Sequence, residues 1–441
     1  MEAAESALSV YGLEKDQSSR ASTGSFYTPE DVADQVWDQF FDHHSIRSLD
    51  DLTSFIGDYK FVEPSAGSGI FVFTFIRRAM RLGAGLDLLK HIKFDVIDLN
   101  LGALRFVRSK LMEIERIVGV ELTGFKLVQS DFLDWAEQTT VENVAFVGNP
   151  PFVKNAKGSK WRNSFADFVQ AMLTYRCERR AICLILPMSV CFSRDYLNLR
   201  EQILDAKLPL SISSYDNIPD CLFKFGKPDH SNTNKANSQR CSVLNLGGEG
   251  SLFRRASKMM RWAASERETV LSRLPEFIAF DGPSTGDQFP RLISEAVISY
   301  LDRNQRSPTI GSFVDRSADP AFAVAAVARN FIGIRDVDKL TNSAIPIGSG
   351  DADVDLLLLQ VLSSSAFYDY WLTFGDGFHV TRSLIDRFPI SKEIANECER
   401  RVPIARRLWQ DRARFKQTKL NRGIEVSSYK FGDHFEHVQF I

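Results

Sequence analysis

The sequence is short of several features, and each absence removes a class of protein. No apolar run is long enough to cross a membrane, and the N-terminus MEAAESALSVYGLEKDQSSR lacks the basic-then-apolar layout of a signal peptide. The six cysteines, Cys177, Cys183, Cys191, Cys221, Cys241 and Cys398, form no CxxC pair and no metal-ligand spacing. They argue against a disulfide framework or a metal site and fit idle thiols in a reducing cytoplasm. Internal repeats and low-complexity blocks are missing as well. Net charge is nearly absent, at −2 from 54 Lys+Arg and 56 Asp+Glu.

That average hides an asymmetry. Residues 1–150 hold 14 basic and 23 acidic side chains, a balance of −9, whereas the remainder carries +7. The strongest basic stretch is RRVPIARRLWQDRARFKQTKLNRG, Arg400–Gly423, with Arg400, Arg401, Arg406 and Arg407 at its start. Such a run is either a solvated helix face or a surface for phosphates.

What is present is the composition of a globular chain, 44% hydrophobic and 25% charged over 441 residues, a length that favours two domains. From Phe61 strands and helices alternate: KFVEP, IFVFTFIRRAMRLG, KFDVIDLN, a helix about Leu101–Ile117, FKLVQSD, NVAFVGNPP, SFADFVQAMLTYRCE and AICLILPMSV. Continuous apolar strands in that rhythm predict an α/β fold with a mostly parallel sheet covered on both faces. LPLSISSYDN and RCSVLNLGG read as two last strands, separated by a polar loop over 226–239. Beyond residue 250 the rhythm is lost; FRRASKMMRWAASERETVLSRL reads as helical, and an irregular α+β pattern follows.

Chemistry gathers at the expected strand ends. In FVEPSAGSGIF a strand runs into Gly67-Ser68-Gly69 and then a helix, a turn that lets a ligand approach backbone N–H groups; the third glycine of the dinucleotide fingerprint is missing. Asp98, after the second strand, can accept from both hydroxyls of a ribose, and Asp131, after the third, from an adenine amino group. Either acid alone reads equally as a helix N-cap. After the fourth strand comes Asn149-Pro150-Pro151-Phe152. The Asn149 side-chain oxygen and the Pro150 carbonyl can together accept both hydrogens of a planar –NH2 group. Its nitrogen then becomes pyramidal and its lone pair turns toward an electrophile. The prolines hold these acceptors rigid, and Phe152 can stack on a base.

These residues carry a resemblance. NPPF after FVEPSAGSGIF resembles class I S-adenosylmethionine-dependent methyltransferases that modify amino nitrogens. The preceding GSFYTPEDVADQVWDQF is similar to the FxTP segment of the gamma-class DNA adenine-N6 methyltransferases of bacterial restriction-modification systems. The resemblance implies a class I methyltransferase fold, with a mixed, mostly parallel seven-stranded sheet. It implies S-adenosyl-L-methionine as cofactor, double-stranded DNA as partner with a flipped-out adenine as target, and a separate restriction endonuclease acting on the same site. By it, Thr28 and Pro29 close over the cofactor. Glu63, Ala66, Gly67 and Gly69 line its methionine part, Asp98 holds the ribose, and Asp131 with Phe132 meets the adenine. Asn149, Pro150 and Phe152 are catalytic. A second aromatic stacks on the extruded base; Phe223 is favoured over Phe225, with plain core packing as the other reading. His379, in a stretch (Phe374–Ile390) that is loosely similar to recognition-domain ends, has no assigned role.

The implied layout is a flexible 1–24, a catalytic domain over 25–250 and a target-recognition domain over 251–441. The 25 residues before FYTP favour a protein with its own recognition domain, and no PD…ExK pattern suggests a fused nuclease. Two other readings stand beside this one. The target could be another amino nitrogen, in ribosomal RNA or a glutamine amide, or the chain could be a DNA-specificity module without catalysis.

Overall fold

The computed structural model describes residues 28–217, 219–223, 239–248, 251–280, 288–291, 295–328, 330–337, 344–421, 424–436 and 438. Outside them lie the expected flexible 1–24, Phe26 and Tyr27 of FYTP, Phe225, nearly all of the loop at 226–239, and Arg422 of the basic run. The chain divides into two compact units, Met1–Ala279 and Phe280–Ile441.

Among the described residues, the first unit opens with two helices, α1 (Glu30–His43) and α2 (Leu49–Asp58), ahead of the α/β rhythm. Apolar residues at 32, 33, 36, 37, 40 and 41 keep helical spacing, and all six are buried. There follow β1 (Lys60–Glu63), α3 (Ile70–Arg81), α4 (Leu86–His91), β2 (Phe94–Asp98), α5 (Leu101–Val118), β3 (Phe125–Gln129), α6 (Phe132–Gln138), β4 (Asn143–Gly148), α7 (Ser164–Thr174), β5 (Arg179–Pro187), α8 (Leu197–Asp205), β6 (Leu210–Tyr215) and β7 (Cys241–Gly247). These seven strands stand in the order β3-β2-β1-β4-β5-β7-β6, parallel except for β7.

Two more strands extend the sheet to nine: β8 (Arg254–Met260), parallel to β6, and β9 (Phe277–Ala279), antiparallel to β8. The stretch expected to be helical after residue 250 therefore opens as a strand, and its helical part is confined to α9 (Arg267–Leu271) and the turn just before it. Without β8 the open edge of β6 would present unpaired backbone groups, and pairing it overrides the helix propensity of RRASKMM. Residues 251–279 thus belong to the first unit, later than the expected boundary at 250.

The sheet is buried on both faces. On one, Phe61, Phe94 and Phe125 stand side by side across β1, β2 and β3, with centroids 5.5 and 5.9 Å apart, under α1, α3 and α5. On the other, Phe146 of β4 meets Phe132 and Tyr175, and Phe132 stacks on Phe168 of α7 at 4.9 Å. Because β1 to β4 are parallel, their carboxyl ends open on one side, where a ligand crevice forms in such sheets.

The second unit holds an antiparallel five-stranded sheet, β12-β10-β11-β14-β13, of β10 (Phe322–Ala325), β11 (Ile334–Arg335), β12 (Ala344–Ile347), β13 (Lys416–Asn421) and β14 (Ile424–Tyr429). Its central helix, Ala352–Ser363, is buried from Leu356 to Ser363 without a polar stripe. In the stretch after Phe374, the Trp371 indole donates to the His379 carbonyl at 2.9 Å, and the exposed His379 ring meets Asp376 at 2.6 Å, a local structural contact. No helix among the described residues is long and apolar enough to cross a membrane.

Candidate active site

The carboxyl ends of β1, β2, β3 and β4 enclose a cavity of about 540 Å³. After β1 the chain turns through Gly67 and Gly69, at φ of +52° and +72°. Gly67 lines the cavity; Gly69 does not. A Cβ on Gly69 would stand 2.8 Å from Val107 Cγ2, so this glycine lets α3 start hard against α5. Asp98, at the end of β2, ties the turn to its neighbour. One carboxylate oxygen accepts from Gly67 N at 2.8 Å and the other from Asn100 N at 2.7 Å. Asp131 accepts from Leu133 N at 2.7 Å as the N-cap of α6, and it lines the cavity as well. It therefore caps a helix and faces the cavity at once.

Glu63, 1% exposed, sits on the cavity wall with its Oε2 buried and without a hydrogen-bond partner among the described residues. Burial, then the charge of Asp98, push its carboxyl well above the usual carboxylate range; backbone N–H groups of Phe71 and Val72 only partly offset this. With Asp98, Asp131 and Asp167 the lining carries four carboxyl groups. Such a wall repels a pyrophosphate and favours a ligand that brings positive charge.

Asn149, Pro150, Pro151 and Phe152 line the opposite side. The Asn149 amide nitrogen donates to Thr28 Oγ1 at 3.2 Å, which fixes the orientation of the amide. Ser164, at the start of α7, donates from its hydroxyl to the Pro151 carbonyl at 2.6 Å and pins the proline turn. Phe152 is half-buried, edge to face with Phe165 at 6.3 Å. Thr28, Glu63, Ala66, Gly67, Asp98, Asp131, Phe132, Asn149, Pro150 and Phe152 therefore share one cavity.

Three expected site residues stand elsewhere. Pro29 caps α1, its carbonyl accepting from Val32 N and Ala33 N at 3.1 and 3.0 Å. Gly69 acts behind the wall. Phe223 is 6% exposed and packed into the α1 side of the core, the core-packing alternative. Missing from the sequence reading were Asn100, the local N-cap of α5, and Ser164 and Asp167, whose partners Pro151 and Asn155 lie across a loop. Also missing was Arg267, a buried guanidinium bidentate on Asp31 at 2.6 and 3.1 Å that reaches the carbonyls of Cys221 and Leu222 at 2.6 and 2.8 Å. It anchors the start of α1, which follows Thr28.

In the second unit the basic run is largely matched by acids. Arg400 and Arg401 pair with Glu397 at 3.0 and 3.6 Å, Arg406 with Asp353, and Arg412 with Asp336 at 2.7 Å. Arg407 is exposed.

No family model and no curated protein matches the sequence. Solved structures do. The type IIL restriction-modification enzyme MmeI, in complex with DNA, matches with a TM-score of 0.50 at 12% identity, over 87% of this chain and 69% of that one. The DrdV–DNA complex matches with a TM-score of 0.46 at 12% identity, over 71% of this chain but 36% of that one. The methyltransferase subunit of a type I restriction-modification system from Streptococcus thermophilus matches with a TM-score of 0.38 at 16% identity, over 56% and 52% of the two chains. The chain thus spans about a third of DrdV and about half of that subunit. At these identities the likeness is one of fold. The first unit has the fold of class I S-adenosylmethionine-dependent methyltransferases.

Proposed function

We propose that the chain is a DNA methyltransferase that transfers a methyl group from S-adenosyl-L-methionine to the N6 amino group of an adenine extruded from duplex DNA, as part of a restriction-modification or related defence system. The observation that carries this reading is the meeting of Asn149-Pro150-Pro151-Phe152 with Gly67, Asp98 and Asp131 in one cavity of about 540 Å³.

The lining fits the cofactor. Its sulfonium and ammonium charges suit a wall that carries Glu63, whose buried Oε2 is unpartnered among the described residues. The Gly67 turn leaves room for close approach, Asp98 keeps lone pairs beyond its two backbone bonds for ribose hydroxyls, and Asp131 with Phe132 offers an acceptor and an apolar ring for adenine. When bound, the cofactor supplies an electrophilic methyl group.

The rest is done by this chain. Thr28 holds the Asn149 amide by its nitrogen, so the oxygen is the end that accepts from the target amine. With the Pro150 carbonyl it takes both amine hydrogens, draws the nitrogen lone pair out of conjugation and stabilises the positive charge that grows there. Because the turn is locked by two prolines and by Ser164, little reorganisation accompanies the reaction. Phe152 stacks on the extruded base, which must leave the helix for its amine to enter a cavity of this kind.

The test is Asn149→Ala. Turnover on duplex DNA should fall by at least about a hundredfold, while calorimetric affinity for S-adenosyl-L-methionine stays within a few-fold. Near wild-type turnover would remove Asn149 from the chemistry and with it this reading.

A further inference from the structure

The segment that leaves the catalytic turn is itself a built basic surface. From Val153 to Asn163 the chain reads VKNAKGSKWRN, with Lys154, Lys157, Lys160 and Arg162 and no acid, inside a unit whose first 150 residues carry −9. It folds as a hairpin closed by a bridge between Lys154 and Asn163 and by bonds from Asn155 N to Arg162 O at 3.1 Å and Ser164 N to Val153 O at 2.9 Å. The four cations are exposed. The hairpin's inner residues are not. Trp161, 3% exposed, donates from its indole to Gln170 Oε1 at 2.7 Å, and the Asn155 amide donates to Asp167 at 2.5 Å and to the Trp161 carbonyl at 3.1 Å. Gln170 and Asp167 both lie on α7, so the cations ride on a rigid arm. They border a concavity of about 450 Å³ whose only acid among the described residues is Asp195, which meets Arg162 at 3.1 Å. Val153 and Asn155, at the base of the arm, line the catalytic cavity.

We infer that this hairpin, Lys154–Arg162, is a docking surface for the DNA phosphate backbone beside the target nucleotide, with Lys154, Lys157 and Lys160 as its contacts. The inference rests on the DNA reading above and places phosphate recognition within the catalytic unit. A rim of four cations next to a cavity walled by carboxylates sorts the two parts of the substrate. The polyanionic backbone is held outside, and the uncharged base alone passes in. Fixed on α7, the arm sets the backbone at a constant reach from Asn149, as positioning of an extruded base requires.

The experiment uses the full chain and a duplex oligonucleotide carrying a methylatable site, with single-stranded DNA and RNA duplex as further arms. The triple variant K154Q/K157Q/K160Q should bind S-adenosyl-L-methionine as wild type does. Its slope of log affinity for duplex DNA against log salt should be shallower by about 0.9 for each phosphate no longer neutralised. KM for DNA should rise more than about tenfold with kcat nearly unchanged, and K154R/K157R/K160R should restore both. An unchanged salt slope and KM in the glutamine variant, with wild type binding DNA, would overturn the hairpin assignment alone. Wild-type protein that binds no duplex DNA, or binds RNA in preference, would overturn the DNA reading beneath it.

Discussion

Asp98 and Glu63 show how much of the site is decided by single groups. Asp98 holds the glycine turn through Gly67 N and in the proposed complex also accepts from the ribose, so Asp98→Ala removes two supports at once. Cofactor affinity should fall by roughly 1.5–3 kcal/mol, the range for a hydrogen bond to a charged group, as read by calorimetry; an unchanged value would displace the ribose from Asp98. Glu63 has the opposite character. Its folded pKa lies well above its ordinary 4.5, so it favours the fold below pH 4.5, and that support is lost as pH rises through the folded value. A cationic ligand should reverse this by favouring the carboxylate. At pH values below the folded pKa of Glu63, cofactor binding is therefore expected to release a proton, seen as a dependence of binding heat on buffer ionisation enthalpy. Glu63→Gln should abolish that dependence. Equal proton release by the glutamine variant would place the titrating group elsewhere.

At the scale of elements, α1 is tied to the sheet by polar groups as much as by its aromatic face. Tyr215 of β6 donates to Gln35 and accepts from Gln39, both at 2.7 Å. His43 lies 2.8 Å from Ser211 Oγ and 3.0 Å from the Gly247 carbonyl. The carbonyl can only accept, so Nε2 carries the proton and Nδ1 accepts from the serine hydroxyl. Burial lowers the His43 pKa from 6.5 to about 4. The neutral ring therefore supports the fold above pH 6.5, and that support drains away as pH falls toward about 4. His43→Gln should narrow the difference in melting temperature between pH 7 and pH 4.5; an unchanged difference would assign the acid sensitivity to other groups.

The elements also show what the sequence could disclose. The glycine turn, the proline turn and the acids at strand ends were legible because each is dictated within a few residues. Gly69 was not, since its constraint is Val107, and β8 was not, since its partner is the open edge of β6. The apolar spacing that makes α1 a helix, at 32, 33, 36, 37, 40 and 41, is present in the sequence too.

Across the whole molecule, the boundary after Ala279 changes what a truncation removes. Ending the chain at Gly250 strips β8 and β9 from the sheet and Arg267 from Asp31, whereas ending it at Ala279 keeps them. A 1–279 protein should unfold in one cooperative transition and bind S-adenosyl-L-methionine, and a 1–250 protein should melt lower and bind more weakly. Equal melting temperatures would make β8 and Arg267 incidental to the fold. The basic run of the second unit weighs less than its composition suggests, since exposed pairs such as Arg400–Glu397 must break to engage phosphate. The central claim is tested most directly by incubating the full chain with methyl-labelled S-adenosyl-L-methionine and unmodified genomic DNA, then analysing the nucleosides. The expected label is in N6-methyladenine with wild-type protein and absent with Asn149→Ala. Label found only in RNA or protein, or in a DNA base other than adenine, would contradict it.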